Sequence, residues 1–217
     1  EVGASAGLGL LVDRYSHVFV DTDGCAHRVD PPDGPSPLEL ECRLGPAVPV
    51  PTTMPDIVWR LGLERRPVRL DDPEDERWLR TLIWPEERSR AAQLDRAIGV
   101  AREHPVRVLA GDAVDGLAGA CAQAPAGATL VVASPAVLVY LGPADRARFA
   151  AAVGELADHW ISLDGRPVLP DLAAAAAATL PGDDGDFLLS RDGAPLAVVS
   201  PHGDRIERWV DSSDGWG

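Results

Sequence analysis

Short apolar runs alternate with helical patterns along most of this 217-residue chain, and this alternation limits its fold more than any other feature. The run 128–133 is continuously apolar, which is typical of a strand buried on both faces of a parallel sheet. Strands alternating with helices predict an α/β fold. The pattern predicts strands at 57–64, 106–109, 128–133 and 160–162, and helices at 5–16, 73–103 with a break near Trp84-Pro85, 113–123 and 143–157.

Two regions depart from this alternation. Residues 187–190, 195–200 and 205–210 are separated by Asp192-Gly193 and His202-Gly203, which predicts an antiparallel meander at the C-terminal edge of the sheet. Residues 17–56 are rich in Pro, Gly and Asp, and predict a β-hairpin-like insertion. The alanine-rich stretch 172–180 is consistent with a helix or with compositional bias. We therefore expect a main domain formed by 1–16 and 57–210, an insertion at 17–56 and a tail at 211–217.

Composition excludes several classes of function. The net charge of −14 argues against a nucleic-acid binder and against binding to an anionic membrane surface. All 20 basic residues are arginines, so Schiff-base chemistry, a P-loop lysine and a Tyr-x-x-x-Lys proton relay are unavailable within this sequence. No apolar run approaches the about 20 residues that a membrane span needs. We therefore expect neither a nucleic-acid partner nor a membrane partner, and the composition leaves the oligomeric state open.

The cysteines suggest neither a disulfide framework nor a metal site. Cys25, Cys42 and Cys121 are an odd set without C-x-x-C spacing. Cys25, His27 and Cys42 offer three metal-ligand types, but small side chains on a hairpin are the simpler interpretation. We expect no metal and a reduced, cytoplasmic setting.

The chain begins with a glycine-dense segment followed at once by a helical pattern. Gly3, Gly7 and Gly9 would let the backbone approach a ligand, and Ser5 is a candidate N-cap for the helix that follows. A nucleotide, S-adenosylmethionine (SAM) or no ligand at all would be compatible with such a loop. The glycine spacing is not that of the dinucleotide fingerprint. It is similar to that of short-chain dehydrogenases, but the missing lysine rules that family out.

Four segments together resemble the motifs of class I SAM-dependent methyltransferases. They are Glu1-Val2-Gly3-Ala4-Ser5-Ala6-Gly7, Gly62-Leu63-Glu64, Gly111-Asp112-Ala113 and Val131-Val132-Ala133-Ser134, each at the expected carboxyl end of a strand or just after it. The resemblance implies a Rossmann-like methyltransferase-type sheet, mostly parallel, with an antiparallel C-terminal edge and with 17–56 looped out. It implies that SAM is the cofactor and that the residues holding it are Glu1, Gly3, Ala4, Ser5, Gly7, Glu64, Asp112, Ala113 and Ser134.

The chain also resembles a bacterial family of unassigned function with a methyltransferase-like fold. The segments EVGASAGLGLLVDRY, PLELEC, WRLGLERRPV, RWLRTLIWPE, LVVASPAVLVYL and SPHGDRIERWV carry this resemblance. It implies a helical region upstream of Glu1, which agrees with a chain that begins inside a motif and without Met. Arg65 and Arg66 depart from the neutral residues of the second motif, and no His lies near Ser134.

Candidate substrate-binding residues are scattered along the sequence. Arg14 is equally consistent with a solvated helix face, Trp84 and Glu86 with helix packing, and His202 with a hairpin turn. The candidates are Arg14, Trp84, Glu86, Tyr140 and His202. The sequence thus predicts methyl transfer to an unknown small molecule, or alternatively a non-catalytic Rossmann-like scaffold or sensor module.

Overall fold

The computed structural model describes residues 1–183 and 185–210; the predicted tail at 211–217 lies outside the described residues. The described residues form α-helices and β-strands in a mixed α/β arrangement, as predicted. The strands are β1 Ser16–Val20, β2 Ala26–Val29, β3 Glu39–Leu44, β4 Gly62–Glu64, β5 Val108–Ala110, β6 Val131–Pro135, β7 His159–Gly165, β8 Phe187–Arg191, β9 Ala194–Val199 and β10 Arg205–Trp209. The α-helices are α1 Pro73–Thr81, α2 Arg88–Glu103, α3 Leu117–Cys121, α4 Pro143–Leu156 and α5 Pro170–Ala176.

Eight strands form one large sheet in the order β2-β1-β3-β10-β9-β8-β7-β6. Strands β7 to β10 are antiparallel neighbours, which confirms the predicted C-terminal meander. The expectation of a mostly parallel sheet is wrong for these eight strands, because four of their seven pairings are antiparallel. The reason is that short turns join β1 to β2 and β8 to β9, and a short turn returns the chain antiparallel to itself.

A second pair of strands, β4 and β5, is parallel and meets the N-terminal segment. Val2 forms a parallel bridge with Leu63 of β4. The Gly3 amide donates to the Leu63 carbonyl at 2.8 Å, and the Val2 amide donates to the Ala133 carbonyl of β6 at 2.8 Å. The N-terminal segment therefore lies between β4 and β6. The spatial order of the adjacent strands is β5, β4, N-terminal segment, β6, β7.

The predicted insertion at 17–56 contributes to the large sheet. Strands β1 and β2 form an antiparallel hairpin, and β3 pairs parallel to β1. Strand β3 also pairs with β10, so this region is hydrogen-bonded to the C-terminal meander.

The first predicted helix is replaced by a 3-10 helix, Leu8–Arg14. Ser5 is not its N-cap, because Gly7 precedes the helix in the left-handed conformation and no side chain caps it. Glycine lowers α-helical propensity and supplies the positive φ that redirects the chain here. The predicted strand at 57–64 is also shorter than expected, since only the three residues of β4 pair.

The other helices agree more closely with the sequence pattern. The break near Trp84-Pro85 separates α1 from α2, and α4 begins at Pro143 as predicted. The alanine-rich stretch contains a true helix, α5. The expectation that the 128–133 run is buried on both faces is wrong, because Val131 is 49% exposed while Val132 and Ser134 are buried. Strand β6 thus alternates like a strand with one covered face.

A compact apolar cluster holds α4 against β6 and β7. Phe149 and Val153 of α4 are fully buried, and Phe149 meets Trp160 edge to face at a centroid distance of 5.8 Å. Leu138, in the turn between β6 and α4, belongs to the same cluster. Burial of each such side chain contributes about 1.5–3 kcal/mol, so the β6–α4 turn is anchored from both sides.

Candidate functional site

The opening loop has a backbone that few residues can adopt. Gly3, Ser5 and Gly7 have φ angles of 77°, 51° and 76°. A Cβ atom added at Gly3 would lie 2.8 Å from Cγ2 of Val137, which real side chains do not tolerate. Gly3 is therefore required both by its conformation and by the close approach of Val137.

Glu64 lies against this loop at the end of β4. Its Oε2 accepts a hydrogen bond from the Ser5 amide at 2.9 Å, and its Oε1 accepts one from the Arg66 amide at 3.1 Å. The Val68 amide donates to the Ser5 carbonyl at 3.2 Å and ties the following segment to the loop. The structure thus brings Gly3, Ser5, Gly7 and Glu64 together, at the edge where the sequence analysis expected a ligand.

Asp112 and Ala113 follow β5, the strand beside β4. The Gly111 amide donates to the Glu64 carbonyl at 2.9 Å, which joins the two strand ends. Asp112 Oδ1 accepts from the Val114 and Asp115 amides at 2.8 and 3.2 Å, and these bonds lower the pKa of the carboxyl. Asp112 shapes its own turn and remains exposed at this edge.

Glu1, Ala4 and Ser134 have their side chains turned towards the interior or towards other parts of the loop. Ser134 is fully buried, and its Oγ accepts a hydrogen bond from Trp160 Nε1 at 2.8 Å. Ala4 is buried against Gly62, where an added Cβ would lie 2.8 Å from the Ala4 methyl group. The Glu1 carboxylate lies beside Gly9, and burial raises the pKa of that carboxyl. These residues support the loop, and Ser134 presents no hydroxyl at the surface.

The β6–α4 turn is a part of the site that sequence reasoning missed. Ala136 has a φ of 54°, a left-handed conformation that is costly for a residue with a Cβ. The Ala136 amide donates to the Leu163 carbonyl at 2.7 Å, and the next residue, Val137, packs on Gly3. An alanine gives no sequence signal for positive φ, so only the structure reveals this wall of the loop.

A cavity of about 510 Å³ adjoins the loop on the side of α2. Its walls are Ala6 of the loop and the segment 67–71 that follows Glu64, together with residues from the end of α2 to the start of β5: Ala101, Arg102, Pro105, Val106 and Val108. This volume falls in the range of small-molecule pockets, about 300–1,000 Å³. Glu64, Asp112 and Ser134 are not among its lining residues.

The candidate substrate-binding residues lie in three separate places. Trp84 and Glu86 are exposed between α1 and α2, and Arg90 joins this region to His202, with Nη1 contacting Glu87 at 2.9 Å and His202 Nε2 at 3.2 Å. Arg90 is about 17 Å along α2 from Ala101, which lines the cavity beside the loop.

Arg14 and Tyr140 complete this set. Arg14 pairs with Asp33 at 3.1 Å, away from the glycine loop in sequence and at the far end of its 3-10 helix. Tyr140 is 85% exposed and belongs to the same turn as Val137, so it is the member of the set that the chain connects most directly to the glycine loop.

The described residues form a mixed α/β protein in which a glycine loop and two strand-end carboxylates, Glu64 and Asp112, lie at one edge. A family model described as an uncharacterised protein conserved in bacteria (DUF2332) matches residues 1–209, and the chain belongs to that family. No curated protein and no solved structure matches the chain. No helix within the described residues is long and apolar enough to cross a membrane. In the same residues, no group of three His, Cys, Asp or Glu side chains is arranged to hold a metal ion.

Proposed function

We propose that this protein binds SAM at the edge formed by the glycine loop and Glu64, and transfers its methyl group to a small molecule. The observation that carries the proposal is the hydrogen bond between Glu64 Oε2 and the Ser5 amide, 2.9 Å long. It joins a strand-end carboxylate to a loop whose backbone can approach a ligand closely.

The carboxylate has the capacity to bind a ribose. An ionised carboxylate offers about four acceptor positions, and the Ser5 and Arg66 amides use two of those on Glu64. Ribose hydroxyls are donors, and a charged acceptor forms the stronger hydrogen bonds with them. The two remaining positions suit a vicinal pair of hydroxyl groups.

The neighbour order of the short strands also supports the proposal. The order β5, β4, N-terminal segment, β6, β7 resembles the parallel half of a Rossmann-like sheet, and the pairings of β4 with β5, of Val2 with Leu63 and of β6 with β7 are parallel. Open sheets of this kind bind ligands beyond the carboxyl ends of their strands. Glu64 and Asp112 lie at those ends.

Two of the four non-glycine residues with a positive φ in the described part of the chain lie at the same edge. Ser5 and Ala136 both adopt left-handed conformations, and they flank the contact between Gly3 and Val137. Such conformations cost about 1–3 kcal/mol each and persist where the surrounding structure, often a functional site, holds them.

The chemistry of methyl transfer demands little from the protein. When bound, SAM supplies an activated methyl group on a sulfonium. The chain's own residues then need to hold the cofactor and align the acceptor, because alignment supplies much of the rate. A site without an obvious nucleophile or base is compatible with this reaction.

A second candidate is a non-catalytic member of the fold that senses or stores a ligand. The observation that favours it is the complete burial of Ser134, whose Oγ is bound by the Trp160 indole. Ser134, the residue at the strand end where the methyl group was expected to be presented, is therefore part of the core. SAM binding without methyl transfer across a metabolite screen would support this candidate.

Isothermal titration calorimetry with SAM and its demethylated product tests the binding proposal. We expect binding by the wild-type protein, and a loss of about 10-fold or more in affinity for Glu64→Gln, since hydrogen bonds to a charged group contribute about 1.5–3 kcal/mol. Glu155→Gln, on the exposed face of α4, is the matched control and should bind like the wild type. The absence of heat at millimolar SAM would refute the proposal.

A further inference from the structure

Asp164 is a carboxylate placed inside the core by the alternation of β7. Trp160, Ser162 and Asp164 share the covered face of that strand, and Asp164 is only 2% exposed. Its backbone pairs with Leu188 of β8. A charged side chain is rarely buried this completely unless it is paired.

The Leu138 amide approaches the Asp164 carboxyl, but neither carboxyl oxygen forms a hydrogen bond of normal geometry with the described residues. The neighbouring serines are satisfied: Ser162 Oγ and Ser190 Oγ lie 2.6 Å apart, and Ser134 accepts from the Trp160 indole. Nε of Arg166, by contrast, is also buried without a partner among the described residues. An unpaired buried carboxylate is costly, whereas the neutral acid is much less so. The described structure therefore suits a protonated Asp164.

Few charged groups face Asp164 from the elements packed around it. Arg146 of α4 is the cation that acts on it, while Arg166, just after β7, donates from Nη2 to the Leu180 carbonyl at 2.7 Å. Strand β8 contributes Leu188 opposite it, and the β6–α4 turn contributes the Leu138 amide. Burial raises the pKa of Asp164 to about 7, while the Leu138 amide and Arg146 act in the opposite direction.

The Arg146 side chain is hydrogen-bonded to the β6–α4 turn. Its Nε donates to the Leu138 carbonyl at 2.8 Å, and its Nη1 donates to the Val168 carbonyl at 2.7 Å. An ionised Asp164 would compete for this guanidinium, because a carboxylate is a stronger acceptor than a carbonyl. The turn that would lose its anchor contains Val137, which packs on Gly3.

We propose that proton binding at Asp164 latches the turn 136–141 against the glycine loop, and that release of the proton loosens this turn and weakens ligand binding at the loop. The effect on the turn rests on the burial of the unpaired Asp164 carboxyl and on the hydrogen bonds of Arg146 to Leu138 and Val168. The effect on ligand affinity rests on the proposed function.

Hydrogen–deuterium exchange of a peptide covering 136–141 tests the latch. After correction for intrinsic rates, we expect protection in the wild type to fall about 10-fold between pH 6 and pH 8, since one pH unit beyond the midpoint changes the ionised-to-neutral ratio 10-fold. Asp164→Asn, a neutral side chain of the same shape, should show no such fall. Asp171→Asn, at an exposed position of α5, is the control and should behave like the wild type.

A second variant keeps the test decisive if Asp164→Asn does not fold. Arg146→Met removes the anchor of the turn, and its exchange should be fast at both pH values. Wild-type protection that does not change between pH 6 and pH 8, or that changes equally in Asp164→Asn, would overturn the latch.

Calorimetry with SAM at pH 6 and pH 8 tests the link to ligand binding. We expect wild-type affinity to fall about three- to tenfold and Asp164→Asn to keep one affinity at both pH values. Equal wild-type affinities would overturn the link. If SAM fails to bind at either pH, the proposed function fails, and the exchange experiment still decides whether the latch exists.

Discussion

At the scale of single residues, Gly3 is the position where the candidate site depends most on the absence of a side chain. Its φ of 77° and the 2.8 Å approach of an added Cβ to Val137 both oppose substitution. We predict that Gly3→Ala lowers the free energy of unfolding by about 1–3 kcal/mol, measured by urea denaturation.

Gly99→Ala is the matched control for this glycine substitution. Gly99 lies inside α2, it is exposed, and an added Cβ would contact nothing within 4 Å. Alanine is favoured over glycine in a helix by about 1 kcal/mol, so this variant should be more stable than the wild type. Equal effects of the two substitutions would contradict the account of the loop.

The chain contains two Asp–Arg ion pairs that differ in burial. Asp13 receives two hydrogen bonds from Arg60, at 2.6 and 2.8 Å, with 9% of its side chain exposed. Desolvation raises the pKa of Asp13, but the hydrogen bonds from Arg60 together with the positive charges of Arg60 and Arg14 outweigh it, so the pKa is lowered overall. Asp33 pairs with Arg14 and has 83% of its side chain exposed.

We predict that Asp13→Ala costs about 3–5 kcal/mol in the free energy of unfolding, because it leaves a buried guanidinium without its partner. Asp33→Ala should cost about 0–1 kcal/mol, as exposed pairs usually do. Urea denaturation at neutral pH and low salt measures both values. A small effect of Asp13→Ala would show that Arg60 finds another partner or reaches water.

Some of these residue-level features could be predicted from the sequence. The adjacency of Glu64 to the loop follows from the order of the motifs, because strand-end residues of neighbouring strands share an edge. The burial of Asp164 was not predicted because the predicted strand ended at Ser162. In the structure β7 continues to Gly165, and Asp164 is its next residue on the buried face. The left-handed Ala136 escaped because nothing in an alanine indicates its backbone conformation.

At the scale of elements, β7 makes the stability of the protein depend on pH. The pKa of Asp164 is about 7 in the folded protein and about 3.9 in an unfolded chain. Between these values the folded state holds a proton that the unfolded state has lost, so stability falls as pH rises. The slope is at most about 1.4 kcal/mol per pH unit, and it levels off above pH 7.

We predict that the free energy of unfolding of the wild type, measured relative to that of Asp164→Asn, decreases between pH 5 and pH 8. The wild type should lose stability relative to the variant as pH rises. The comparison removes the contributions of Asp13 and of other carboxyls whose lowered pKa favours stability at higher pH. A difference that is constant over this range would show that Asp164 is ionised throughout or finds a partner.

Local patterns correctly predicted the elements whose ends are marked by proline or by an Asp-Gly turn. Pro85 separates α1 from α2, Pro143 begins α4, and the Asp192-Gly193 turn joins β8 to β9. The 3-10 helix was missed because apolar spacing alone does not distinguish it from an α-helix. The ends of β4 were missed because pairing partners, and not composition, decide where so short a strand begins.

At the scale of the whole molecule, the mixed sheet depends on pairings between distant parts of the chain. Strand β10 pairs with β3 through Arg205 with Arg43 and Ile206 with Leu44, which joins the hairpin region to the meander. A single sequence carries no signal for such contacts, so the sequence predicted the local strands and missed their common sheet. The predicted excess of parallel pairings was wrong for a local reason, because short turns return β2 and β9 antiparallel to the strands before them.

The central claim, that the glycine loop and Glu64 form one ligand site, also depends on contacts between distant parts of the chain. The two segments are 59 residues apart in sequence and are joined by the Ser5–Glu64 hydrogen bond. Their adjacency depends on the N-terminal segment lying between β4 and β6. The Gly111 amide also donates to the Glu64 carbonyl, so the ends of β4 and β5 lie together at this edge.

A crystal structure of the protein soaked with SAM is the most direct measurement. The account predicts electron density for the nucleoside above Gly3–Gly7, with ribose hydroxyls within hydrogen-bonding distance of Glu64. An empty edge at saturating SAM, or density confined to the cavity lined by 67–71 and 101–108, would contradict it.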